Sequence, residues 1–227
     1  MNQRLAKLLG CTAITGIVAF GATGCFWDAD QHKEVSYGIS QPVKKLVVKG
    51  DTGAVDVVGG GDAVTVTEHQ TYKDGQPATT HRVSADGTLT LTYDCRNCGV
   101  GYDVHVPAGT VVELTEDTGD IELSGLTADV QADVDTGQIR ATGLGADKAR
   151  LHTGTGSVTA AFTARPTAVD AHTETGSISI TVPQGVGYAV SAGAQTGSVD
   201  VSVPQDGSTG RTINAHTETG SVSVANG

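Results

Sequence analysis

Ala171-His172-Thr173-Glu174-Thr175-Gly176-Ser177-Ile178-Ser179-Ile180 contains two strand-like alternations that meet at a glycine. Val169 and Ala171 alternate with polar neighbours on one side, and Ile178 and Ile180 do so on the other. Strand side chains change face with period two, so the apolar set changes phase once across Thr175-Gly176. Glycine takes the positive φ of a tight corner at low cost, so Gly176 is predicted to turn one strand into the next.

The unit recurs along the chain. Thr-Gly pairs stand at Thr52-Gly53, Thr118-Gly119, Thr136-Gly137, Thr155-Gly156, Thr175-Gly176, Thr196-Gly197 and Thr219-Gly220, with successive threonines 66, 18, 19, 20, 21 and 23 residues apart. Six and four residues before each threonine the side chains are apolar, from Leu46 and Val48 to Ile213 and Ala215. Three and five residues after it they are apolar again, from Val55 and Val57 to Val222 and Val224. A repeat of about 20 residues with two strands per unit predicts a β-solenoid, all-β, each coil stacked on the last at about 4.8 Å. The 66-residue gap has room for three further degenerate coils. The corner threonines, sharing the inward parity of the strand before them, are expected to form a buried hydroxyl ladder. The opposite parity is polar and acidic, with Asp51, Asp117, Asp135, Glu174 and Glu218 immediately before the threonines. An antiparallel sandwich is the competing fold, but it gives no reason for one dipeptide to recur at one offset.

Composition agrees. The 227 residues include 31 glycines, about twice ordinary usage, without the three-residue period of collagen. Aromatic residues make up 4% and the formal net charge is −11. That acidity argues against nucleic-acid binding, which rests on lysine and arginine neutralising phosphates.

Val106-Pro107-Ala108-Gly109 and Val182-Pro183-Gln184-Gly185, each followed by a strand and a Thr-Gly corner, resemble the bacterial putative-adhesin family of β-strand-repeat proteins. The similar segments run from Val106 through Val224, with a fainter copy at Leu46 to Val57. The resemblance implies an exported β-solenoid, and it carries over no catalytic residue.

The first 24 residues read as an export signal, with Arg4 and Lys7 ahead of a mostly apolar run from Leu8 to Phe20. That run is short for a membrane span, which needs about 20 residues. Ala22-Thr23-Gly24-Cys25 resembles the lipobox of bacterial lipoproteins, which implies cleavage before Cys25 and diacylglycerol on its thiol. A plain signal peptide is the alternative. Leu8-Leu9-Gly10-Cys11 fits the motif locally, but too little apolar sequence precedes it. Cleavage would remove two positive charges and no negative one, moving the net charge from −11 to −13. The expected organisation is a signal over 1–24, a lipidated tether over 25–41 and a repeat domain over 42–227. Within it, 42–106 holds degenerate coils or a cap, and 107–227 the regular coils. The expected location is the extracytoplasmic face of the cell membrane, held there by the anchor.

Candidate chemistry is sparse. Cys95-Arg96-Asn97-Cys98 lies between two strand-like runs, and in an exported chain such a pair reads as a structural disulfide. His152, His172 and His216 share one offset on the polar parity, with Asp133 one unit earlier and Gly193 between the last two histidines. Asp133, His152 and His172 are expected as consecutive steps of one column, with Glu174 beside them, a set able to hold a divalent metal. A solvated polar face is the plainer expectation. No nucleophile motif, phosphate loop or HExxH stands in the sequence, so neither catalysis nor a cofactor is expected. The function expected is that of a non-catalytic, lipid-anchored adhesin or envelope scaffold with a protein or envelope partner. The alternative is an extracytoplasmic metal-binding or hydrolytic protein using the His152/His172 face. The last unit, Thr212 to Val224, lacks an evident cap, so terminal strands are candidates for self-association.

Overall fold

The computed structural model describes residues 30–227, and the signal segment, Cys25 and the start of the expected tether lie outside them. The described residues form nineteen strands in two mixed sheets, with no helix. Strands β8 (Val111–Thr118) and β9 (Ile121–Ser124) form the first pair of a regular series. It continues with β10 (Val130–Thr136) and β11 (Ile139–Leu144), β12 (Lys148–Thr155) and β13 (Val158–Phe162), and β14 (Ala168–Thr175) and β15 (Ile178–Val182). The first member of each pair joins one sheet and the second joins the other, all in parallel.

Register follows the repeat. Thr118, Thr136, Thr155 and Thr175 are successive cross-strand partners, as are Leu114, Ala132, Leu151 and Ala171. The apolar offsets identified in the sequence line the space between the sheets, and Leu114, Ala132, Leu151, Ile139 and Ile178 are buried. Small residues dominate because the two layers share one thin core.

Four expectations need correction. The corner threonines are exposed rather than inward, because the glycine carries the phase slip and the last buried position lies two residues before the threonine.

The spatial order of the final units also departs from sequence order. Strands β16 (Ala189–Thr196) and β17 (Val199–Val201) form the outermost pair, while β18 (Thr212–Thr219) and β19 (Val222–Asn226) insert between them and β14/β15. The long connection after Val201 gives the chain reach to come back. Arg211 seats the return, its Nη1 donating to the carbonyls of Arg165 (2.8 Å) and Pro166 (2.7 Å).

The 66-residue gap does not hold three coils. Strands β2 (Lys45–Thr52) and β3 (Val55–Gly59) pair directly with β8 and β9, placing Thr52 opposite Thr118. The intervening chain builds β4 (Val64–Tyr72), β5 (Ala78–Val83), β6 (Thr88–Asp94) and β7 (Cys98–Val106) on the far side. There β6 and β7 run parallel to β2 and β3, as one further pair, and β4 and β5 close the end antiparallel.

Finally, most of the expected tether is structured. Gln31–Ile39 forms β1, paired antiparallel with β4 throughout its length. Polar side chains facing water do not prevent edge pairing when the backbone finds a partner strand.

Candidate functional site

The glycine corners are fixed by backbone crowding, and three of them also by one buried hydroxyl each. Gly137 has φ +153°, and a Cβ there would collide with the carbonyl oxygen of Gly119 in the neighbouring pair; Gly156 stands in the same relation to Gly137. Two residues before the corner, Thr153, Thr173 and Thr217 point inward and are buried. Their Oγ1 atoms donate to the corner carbonyls of Gly137 (2.7 Å), Gly156 (2.9 Å) and Gly176 (2.9 Å). This is the hydroxyl ladder, moved one inward step from the threonines that the repeat made conspicuous. Its signal was present in the sequence as the first threonine of Thr-x-Thr-Gly.

Glu116 occupies the same offset in β8, paired with Val134 of β10, which in turn pairs with Thr153. It is 1% exposed, neither carboxyl oxygen has a hydrogen-bond partner among the described residues, and room for it comes from Gly50 across the strand pair. Burial, followed by the charges of Asp117 and Asp51, pushes its carboxyl up to about 8. Other polar groups lie buried at this end. Tyr37 Oη donates to Glu68 Oε1 (2.8 Å) and Gln70 Nε2 donates to Glu68 Oε2 (2.8 Å). Tyr93 Oη accepts from the Thr52 amide (2.5 Å) and donates to the Thr52 carbonyl (2.9 Å), satisfying the first corner.

The outer faces carry the polar ladders. On the nine-stranded sheet the column runs Asp133, His152, His172, His216, Gly193, because β18 lies between β14 and β16. The expected separation of His172 from His216 by Gly193 is therefore overturned, and three imidazoles stand in a row. The His152 and His172 rings are 5.0 Å apart, and His216 Nε2 lies 3.0 Å from Ser191 Oγ. Side chains on adjacent strands project in parallel, so their donor atoms do not converge. Among the described residues no group of three or more His, Cys, Asp or Glu is arranged to hold a metal ion, and this includes Asp133, His152, His172 and Glu174.

On the ten-stranded sheet Asp103, Asp56 and Glu122 are consecutive partners, continued by Arg140, whose Nε lies 3.8 Å from Glu122 Oε1. Partial burial, then the Asp103 and Glu122 charges, raise the Asp56 carboxyl above its ordinary value. Near this ladder, a groove of about 850 Å³ is lined by Thr52, His69, Thr71, Lys73, Asn97 and Asp103 among others. His69 Nε2 is 2.8 Å from Asp103 Oδ2. Cys95 and Cys98 are disulfide-bonded and take the corner place between β6 and β7 that Thr-Gly holds elsewhere. His69 lacked a sequence signal, because the antiparallel pairing of β4 with β7 brings it to Asp103 from 34 residues away.

No curated protein matches this chain. Among solved structures it is similar to one described as a putative cell adhesion protein from Clostridium sporogenes, at 13% identity. That likeness covers 87% of this chain and 100% of the other, with a TM-score of 0.53. It is also similar to one described as a putative adhesin from Bacteroides fragilis, at 17% identity over 86% of this chain and 97% of the other, with a TM-score of 0.50. These likenesses concern the fold. The family model described as Toastrack DUF4097 matches residues 103–226, more than half of the sequence, and the chain belongs to that family.

Proposed function

We propose that this protein is a non-catalytic β-solenoid, exported and lipid-anchored through Cys25, that presents its outer sheet faces for contact with a protein or envelope partner. The observation that carries the reading is the in-register stacking of polar side chains, Asp103-Asp56-Glu122 on one face and His152-His172-His216 on the other. Repetition at strand spacing suits a surface that reads a repetitive or extended partner, whereas catalysis needs unlike groups converging on one point. The adhesin descriptions of the structural relatives are consistent with such a role. Capture from native envelopes tests it. Wild-type protein is expected to retain a defined envelope component that Asp56→Lys with Glu122→Lys loses. Equal capture by both would refute the reading. A Cys25→Ala variant is expected to leave the membrane fraction, and retention there would refute anchoring.

A further inference from the structure

We infer that two copies of this chain meet end to end through β16 and β17, in a closed twofold dimer. Among the described residues no strand lies beyond β16 in one sheet or β17 in the other, so both sheets end at this pair. The core also ends there uncovered. Val199 is 45% exposed, whereas Ile178 and Val222, its column neighbours farther in, are each 1% exposed. Val190, Ala192 and Val201 are likewise only partly covered.

The two ends of the molecule differ in a way that selects the partner. Edge strands are ordinarily protected by charged residues that discourage further pairing. At the opposite end β1 carries Lys33 and Glu34, and β5 carries Arg82. From Ala189 to Val201 the only charged residue is Asp200. In a chain with a net charge of −11, two copies repel through most faces and least through this one. The charged far end does not match it, which disfavours head-to-tail growth. A twofold axis normal to the sheets lays β16 antiparallel to its copy and β17 antiparallel to its copy. Both sheets then become continuous, the open apolar columns cover one another, and the contact closes at two chains. This inference does not depend on what the outer faces bind.

Sedimentation equilibrium of the full chain, in mild detergent with micelles in excess over protein, tests it from about 1 to about 100 µM. The wild type is expected to approach the mass of two chains and stop there. Val199→Lys, which restores a charged edge, is expected to stay at one chain with an unchanged circular-dichroism spectrum, while Ala78→Lys on β5 still dimerises. A wild type that remains single across the range would overturn the inference, as would mass climbing past two chains or a Val199→Lys dimer of undiminished strength. Should Val199→Lys fail to fold, amide exchange of the wild type decides. Exchange in β16 is expected to slow as concentration rises, and concentration-independent exchange would overturn the pairing.

Discussion

Replacing Glu116 tests the interior of the coil most sharply. The carboxyl stands in a column where Thr153, Thr173 and Thr217 donate to corner carbonyls, yet it has no hydrogen-bond partner among the described residues. Burial pushes it from an ordinary 4.5 to about 8, so the folded protein holds this proton more tightly than the unfolded chain does. A group raised in the folded state contributes stability that is present in full below 4.5 and is lost as pH rises through about 8. At about 1.4 kcal/mol for each pH unit, the interval sets a ceiling of about 5 kcal/mol, which local relaxation reduces. Glu116→Gln keeps the shape and removes the titration. Urea unfolding followed by circular dichroism at pH 5, 7 and 9 should show the variant gaining on the wild type steadily, by about 2–4 kcal/mol in total. Taking the difference cancels the pH dependence of the other carboxylates. Parallel stability curves for wild type and variant would refute the buried-acid account. Glu116→Thr goes further, since its hydroxyl would sit where the ladder donates to the neighbouring corner, here Gly53. It is expected to match or exceed the stability of Glu116→Gln at every pH.

Three further outcomes follow from the corners. Gly156→Ala places a Cβ against the Gly137 carbonyl at φ +151°, and should cost about 3 kcal/mol or more in chemical unfolding; a change below about 1 kcal/mol would contradict the close stacking. Thr173→Val keeps the shape but leaves the Gly156 carbonyl without its 2.9 Å donor, an expected loss of about 1–3 kcal/mol by the same assay. Cys95→Ser with Cys98→Ser opens a four-residue loop, whose closure entropy corresponds to about 2 kcal/mol; protease cleavage should then concentrate between β6 and β7 rather than in the regular pairs.

The sequence by itself determined the repeated strand pair, its apolar lining and its glycine corners. Each of those is a local matter: side-chain parity follows from strand geometry, and a tight corner admits only a residue without Cβ. The tertiary structure alone decided the order in which the pairs stack. Periodicity marks Thr196-Gly197 and Thr219-Gly220 as equivalent, so nothing in the repeat says which lies outermost; loop reach and the Arg211 contacts settle it, bringing His216 onto His172. In the same way 66 residues between two corners fit either three coils or an excursion, since the hydrogen bonds between Thr52 and Thr118 strands are non-local. The corner threonines misled because parity counted past the last inward residue, whereas backbone crowding at the glycine sets where the phase turns. Glu116 was visible as the acid in a column otherwise free of charge, but only the packing of Gly50 against it shows where its carboxyl goes.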